Sequence, residues 1–250
     1  SIILNNRFLR SVVVLFLWLL IWQLCYMAVG EDLLLSSPSA VFFRILQLGR
    51  TVAFWQTIFW TLSRILFGFF LGVAFGFLTA FLAVKFSWLD AFLSLPMSLI
   101  KSTPVASFVI LALVWINGRN LSIFIAFLMV LPIVWYNLRT GFRSVDPKLL
   151  EMATVFRVRR FDVFRKVTWP AALPYFTSAI KTGLGFAWKA GIAGEVIAIP
   201  AGAIGTQLYN AKIYLETTDL FAWTIVIIIL SMMLEYLITR TINRLSGFSS

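Results

Sequence analysis

Long apolar segments separated by shorter polar breaks dominate the pattern along this chain. They lie at about 11–30, 55–84, 102–116, 121–138, 175–199 and 220–238. A helix needs about 20 apolar residues to cross a hydrocarbon core that is ~30 Å thick. The pattern therefore predicts an all-α integral membrane protein with about six transmembrane helices, forming a single domain over residues 1–250.

The first apolar segment has a second interpretation. Residues 28–30, Ala-Val-Gly, resemble the small-x-small site at which a secretory signal peptide is cleaved. The apolar part of segment 11–30 is longer than the roughly 7–15 residues usual for such a peptide, which favours a retained span.

The polar breaks carry local structure signals. Ser37 followed by Pro38 is typical of a helix start. The residues that follow could form an amphipathic helix on the membrane surface or a plain connecting loop, and the sequence does not decide between the two. Residues 85–101 are predicted to be a mixed connection, and residues 117–120 a tight turn.

Small residues recur at every fourth position in two of the apolar segments. The ones that we assign to helix packing are Gly68, Gly72, Gly76, Gly183 and Gly191. Residues four apart share one helix face, so each stripe lets another helix backbone approach closely. Packing explains the second stripe better than a dinucleotide fingerprint, because the glycines near Gly183 lack the third glycine of that motif.

Composition agrees with a membrane protein and excludes several functions. The chain is 61% apolar and 12% charged, whereas soluble domains are nearer about 45–50% and 25%. A net charge of +11 would suit a nucleic-acid-binding protein, but the apolar segments exclude that class. There is no histidine and no P-loop motif, so we expect no enzyme activity and no bound cofactor or metal. The single cysteine, Cys25, allows no disulfide within the chain.

Charge along the chain sets the expected orientation. Most of the 21 lysines and arginines fall near the termini and in residues 139–174. The opposite side has only Arg44, Arg50, Arg119 and Lys212. By the positive-inside rule, both termini and residues 139–174 face the cytoplasm of a cell (inner) membrane protein.

Residues 139–174 form a polar loop that cannot lie in hydrocarbon, where a charged side chain costs about 2.5–3.5 kcal/mol. Asp146 as N-cap and Pro147 at the first helical position predict a short helix over residues 147–156. A second short helix is expected over residues 162–168. Pro170 and Pro174 are expected to end it and to start segment 175–199.

Motifs in and around this loop carry a family resemblance. The sequence EMA at 151–153, followed by VTWP at 167–170 and AALP at 171–174, resembles the EAA loop of permease subunits of binding-protein-dependent ABC importers. The wider pattern is similar to the nitrate/sulfonate/taurine-type branch. It comprises LSSPSAV at 35–41, Arg64 with Gly68 and Gly72, KSTPVASFVIL at 101–111, FRSVDPKLLEMA at 142–153 and FAWKAGIAGE at 186–195.

The resemblance implies a fold like that of type I ABC importers, in which the loop forms a coupling helix docked on a cytoplasmic ATP-binding subunit. ATP and Mg would be bound by that subunit. It also implies a second permease subunit (a second copy or a sister chain), an extracytoplasmic solute-binding protein, and a small solute such as nitrate, a sulfonate, taurine or a vitamin precursor. The ATPase-coupling residues that it implies are Glu151, Ala153, Arg157, Arg160, Phe161, Phe164, Arg165 and Pro170.

Three positions depart from the family pattern. Arg157 stands where the family has a turn glycine, Arg159 replaces a small residue, and Trp169 replaces a leucine. A non-glycine residue in the left-handed conformation costs roughly 1 kcal/mol, which leaves the shape of the turn open.

Charged residues in segment 175–199 are candidates for the substrate path. Lys189 and Glu195 are about 240° apart around an ideal helix, so they do not pair within it. Ionisable groups inside a membrane face a cavity or a partner, so a substrate contact and a structural role both remain open. Glu195 is expected to face a neighbouring helix near the outer end, and Arg64 an interface or a polar cavity.

The residues alone leave two other functions to weigh. An ATP-independent channel or secondary transporter is one, although secondary carriers commonly contain internal repeats and the two halves of this chain show none. A membrane scaffold without a transport role is the other.

Overall fold

The computed structural model describes the backbone of residues 2–245 and the side chains of 9–10, 12–242 and 244. This part of the chain is mostly helical and contains no strand, which confirms the predicted all-α fold. The helices are α1 (Ile2–Val29), α2 (Pro38–Gly49), α3 (Val52–Lys85), α4 (Ser87–Ser102), α5 (Val105–Ala112), α6 (Gly118–Arg143), α7 (Pro147–Val155), α8 (Arg160–Val163), α9 (Trp169–Ala198), α10 (Ile204–Ile213) and α11 (Thr217–Leu245).

Helices α3, α6 and α9 form the centre of the fold. Gly68 and Gly76 of α3 lie against Ile123 and Val134 of α6, so these two helices run parallel. The α9 helix runs antiparallel to them, because its late residue Gly191 lies against the early α3 residue Ile65. The glycines permit the close approach because they present no Cβ at the contact.

Four described helices are long and apolar enough to cross a membrane: α1, α3, α6 and α11. The bent pair α4 and α5 counts as a fifth only if the two helices form one broken span. The α9 helix, which carries Lys181, Lys189 and Glu195, is not among them. It nevertheless buries a continuous face of small residues against α3 and α6.

The segment at 102–116 departs from the expected single span. The α4 and α5 helices meet at an angle of 104°, and α5 has only eight residues. The break lies at Thr103 and Pro104, and Thr103 is extended because a residue before proline is forced out of the helical region. The mixed connection predicted at 85–101 is wrong, because α4 occupies it with Pro96 inside the helix. The turn predicted at 117–120 is the start of α6.

The expectation that Pro170 and Pro174 separate a loop helix from the next span is wrong. A π-helical turn at Phe164–Thr168 joins α8 to α9, and the backbone angles of Val163, Phe164, Thr168 and Trp169 are all helical. Pro170 comes directly after the π-helical turn, where the regular i to i−4 hydrogen bonding is already altered, and Pro174 lies inside α9. The second loop helix is therefore continuous with a central helix of the bundle.

The end of the bundle away from residues 144–168, here called the opposite end, is closed by α2 and α10. The hydroxyl of Ser37 accepts a hydrogen bond from the N–H of Ala40, which confirms the predicted helix start and decides for a helix rather than a loop. Arg44 of α2 donates to the carboxylate of Asp219 of α11 at 2.8 Å. The short α10 helix has no counterpart in the sequence-based interpretation.

Candidate functional site

The first loop helix, α7, forms as the local sequence predicts. The carboxylate of Asp146 accepts a hydrogen bond from the N–H of Lys148 at 2.9 Å, and Pro147 occupies the first helical turn. Ala153 is buried, and its carbonyl accepts a hydrogen bond from the N–H of Val158 at 2.9 Å. Glu151 is exposed and makes no side-chain hydrogen bond or ion pair within the described residues. Its carboxylate is therefore available for a partner.

The turn after α7 keeps a left-handed residue although the glycine is replaced. Arg157 has φ +52°, and its N–H is bonded to the carbonyl of Thr154 at 3.1 Å. The shape of the turn, which the sequence left open, is thus of the type that glycine prefers. The arginine side chain is exposed beside the turn.

Replacing Arg157 by glycine is expected to stabilise this turn. Relief of about 1–2 kcal/mol of left-handed strain exceeds the roughly 0.4–1 kcal/mol lost to the freer unfolded chain. Hydrogen exchange of the amides in residues 153–160 should slow severalfold. Arg159→Gly is the matched control, since Arg159 has φ −62° and should gain nothing. Equal exchange in Arg157→Gly and wild type would contradict a strained turn.

Exposed apolar and basic side chains lie on α7, the turn after it, α8 and the π-helical turn. Its exposed apolar members are Leu149, Leu150, Met152, Val155, Phe156, Val158 and Phe161. Its exposed basic members are Arg157, Arg159, Arg160, Arg165 and Lys166. We call these residues the loop surface. Apolar side chains clustered in this way on a polar loop are typical of a protein interface.

Phe164 of the same segment packs against the core of the bundle. Its ring centroid is 5.7 Å from that of Phe81 in α3, 6.3 Å from Phe142 in α6 and 6.5 Å from Trp169 in α9. Phe161, three residues earlier, is 71% exposed. The sequence grouped the two phenylalanines, whereas the structure places Phe161 on the loop surface and Phe164 in the contact with the three central helices.

Glu195 lies in a buried polar cluster near the opposite end. Its carboxylate accepts hydrogen bonds from the Thr61 hydroxyl at 3.0 Å and from the N–H of Gly205 at 3.3 Å. The Arg64 Nη1 atom is 3.7 Å from Glu195 Oε1. The glutamate side chain is fully buried, which agrees with the expectation that it faces neighbouring helices. The sequence singled out both charges but did not pair them, although the rule that buried membrane charges pair was available.

Lys189 is separate from that cluster. It is exposed on α9, on a face that no described helix covers. Thr182 and Phe186 of α9 line a cavity of about 630 Å³ whose other walls include Lys101 and Tyr136. The ammonium of Lys101 lies 5.2 Å from the centre of the Tyr136 ring. No local sequence pattern marks Lys101 for this site, because the ring that it contacts is 35 positions away in sequence.

The comparison with known families decides the assignment. Residues 72–247 match the family described as "binding-protein-dependent transport system inner membrane component". This chain belongs to that family. It is the transmembrane permease subunit of an ABC importer, and ATP hydrolysis is the task of a separate subunit.

Alignments with curated relatives cover most of the permease. The taurine transport system permease protein TauC of Escherichia coli is 25% identical over 220 residues, which are 86% of this chain and 80% of the relative. The aliphatic sulfonates transport permease protein SsuC of Escherichia coli, described as putative, is 27% identical over 200 residues, or 79% and 75%. The riboflavin transport system permease protein RibX of Chloroflexus aurantiacus is 28% identical over 236 residues, or 91% and 88%. These names confirm the resemblance to the taurine and sulfonate branch.

Two solved structures share the fold of the permease. A chain from an amino acid ABC transporter has a TM-score of 0.59 at 18% identity, covering 75% of this chain and 89% of its own length. A chain from the MetNI methionine ABC transporter in an inward-facing conformation has a TM-score of 0.55 at 19% identity, covering 77% and 92%. At this level of identity the likeness concerns the fold.

Proposed function

We propose that the permease docks a cytoplasmic ATP-binding subunit through the loop surface and uses the motion of that subunit to move a small solute across the membrane. The observation that carries this proposal is the contrast between exposed and core-packed side chains in residues 147–168. The loop surface is exposed, while Phe164 packs against α3, α6 and α9. The exposed side chains can therefore bind a subunit while Phe164 is fixed to the bundle.

The continuous path from α8 into α9 provides the mechanical link. The path from α8 through the π-helical turn into α9 has helical backbone angles at the junction, so a shift imposed on Phe161 would be transmitted into α9. The α9 helix has extensive contacts with α6 and further contacts with α3. Hydrolysis on the partner would thus change the packing of the central helices with no chemistry on this chain.

Charge supports a cytoplasmic position for this end of the bundle. The loop surface carries Arg157, Arg159, Arg160, Arg165 and Lys166, and positive charge collects on the cytoplasmic side of membrane proteins. Arg240 and Arg244 near the end of α11 agree with a cytoplasmic C-terminus. The opposite end would then face outside and receive solute from a binding protein.

The uncovered face of α9 supports pairing with a second permease subunit. Lys189 and Phe186 are exposed on this face, and lipid would not favour an uncompensated ammonium. A solute path between two subunits would place both side chains in a polar and protein-lined setting. The solutes in the relatives' names, taurine, aliphatic sulfonates and riboflavin, support a small organic solute without selecting one.

Phe161→Ala is expected to weaken binding of the ATP-binding subunit. Removal of a central aromatic side chain from an interface costs about 2 kcal/mol, which corresponds to a roughly 30-fold rise in the dissociation constant. Titration of the reconstituted permease with its ATPase subunit, with binding and hydrolysis recorded together, measures this change. Phe43→Ala is the matched control, because Phe43 is similarly exposed but lies on α2 at the opposite end. Unchanged binding in Phe161→Ala would contradict docking at the loop surface.

A further inference from the structure

A second cavity lies at the opposite end, between the first half of α3, the start of α6 and the connection from α9 to α10. We call it the outer cavity. It has a volume of about 850 Å³, within the range of small-molecule sites. The polar or aromatic side chains around it that matter here are Arg64, Arg119, Gln56, Asn117, Gln207 and Trp60.

Arg64 in the wall of the outer cavity has unused hydrogen-bonding capacity. Only 8% of the residue is exposed, and its guanidinium makes no hydrogen bond within the described residues. The Nη1 atom has no accessible surface and lies toward Glu195, so the other N–H groups of the guanidinium are the ones that can reach the cavity. The carboxylate oxygen nearest to Nη1, Glu195 Oε1, is 3.7 Å away, beyond hydrogen-bond distance. A guanidinium has five N–H donors in a planar fork that matches an oxyanion, and a buried donor without a partner is costly.

The charge balance of the outer cavity favours an anion. None of the described residues that line it has a carboxylate, and Glu195 behind it already accepts from Thr61 and Gly205. Because the negative charge of Glu195 compensates the positive charge of Arg64, the positive charge of Arg119 remains uncompensated. The start of α6 beside Asn117 adds the positive end of a helix dipole.

We propose that the outer cavity binds the oxyanion group of the transported solute, a sulfonate or carboxylate of a small organic molecule, through Arg64 and Arg119. The amide side chains of Gln56 and Gln207 provide further donors, and Trp60 provides an apolar wall. This inference rests on the proposed importer function and names the class of its substrate. The phosphate of a lipid headgroup shares this chemistry, so the experiment must separate the two sources.

Charge-selective labelling of a cysteine in the outer cavity tests this proposal. The full-length permease with Cys25→Ser and Ala201→Cys is purified in maltoside micelles without phospholipid, since Ala201 lines the cavity and is exposed. Rates are measured with methanethiosulfonate reagents that carry a sulfonate or a trimethylammonium group. Ala40→Cys, on an exposed position of α2, is the reference site.

The ratio of the labelling rate with the sulfonate reagent to that with the trimethylammonium reagent is expected to be about tenfold higher at Ala201→Cys than at Ala40→Cys, because a positive site concentrates anions. Arg119→Gln should reduce this preference at least threefold. Arg50→Gln, an exposed arginine at the same end but outside the cavity, should leave it unchanged. Sodium ethanesulfonate should slow labelling by a neutral methanethiosulfonate, whereas choline chloride should not.

Equal labelling by both charged reagents, or an effect of Arg119→Gln no larger than that of Arg50→Gln, would overturn the anion site. Protection that appears only when phospholipid is added, and not with ethanesulfonate, would assign the cavity to lipid headgroups and overturn the solute assignment. The labelling requires neither ATPase nor transport. Its failure is therefore distinguishable from failure of the Phe161→Ala titration, which tests the loop surface.

Discussion

Glu195→Ala is expected to destabilise the permease more than any other single change considered, because it leaves Arg64 as a buried charge without its counter-ion. Glu195 is fully buried and holds Thr61, the N–H of Gly205 and Arg64 around one carboxylate. Removing one member of a buried ion pair costs about 3–5 kcal/mol. Thermal unfolding in detergent should shift down by roughly 10 °C, given about 2–4 °C per kcal/mol for a chain of this size.

Two further variants separate charge from packing. Glu195→Gln keeps an oxygen that can accept from Thr61 and Gly205, so it should lose clearly less stability than Glu195→Ala. Glu216→Ala removes an exposed carboxylate at the same end and should have almost no effect. If all three variants unfolded at the wild-type temperature, the buried pair would not be a determinant of stability.

Gly68→Ala is expected to disrupt the contact between α3 and α6. A Cβ at this position would overlap the carbonyl oxygen of Ile123 and lie 2.9 Å from the Cβ of Ala126. Because backbone atoms cannot move aside as a side-chain end can, the helices must separate. Overpacking of this kind costs about 1–3 kcal/mol, and the clash with backbone places Gly68→Ala at the upper end.

The matched control for this change is Gly185→Ala in α9. A Cβ there meets no atom within 4 Å, and alanine favours a helix over glycine by about 1 kcal/mol. The two variants should therefore shift the unfolding temperature in opposite directions when measured in the same detergent. An unchanged Gly68→Ala protein would mean that α3 and α6 are not in close contact. Gly183→Ala should be tolerated, since its nearest neighbour, Val130, would lie at 3.5 Å.

Local signals in the sequence predicted several features of the fold that the structure confirms. Ser37 and Asp146 cap the helices that follow them. Such caps can be predicted because a short polar side chain just before a helix accepts a hydrogen bond from a backbone N–H of the first turn, which is close in sequence. Prolines predicted helix boundaries less reliably than capping residues did. Pro104 stands at a break, whereas Pro170 and Pro174 lie within the helical path from α8 into α9.

By itself the sequence determined the all-α membrane class and the family, through apolar segment lengths and the motifs of residues 142–174. Only the tertiary structure decided which side chains meet: Arg64 with Glu195, Phe164 with Phe81, and Arg64 with Arg119 around one cavity. Segment length and capping depend on neighbours within a few residues, whereas these contacts join positions 55 to 131 residues apart. Their formation depends on how α3, α6 and α9 pack, which no local pattern specifies.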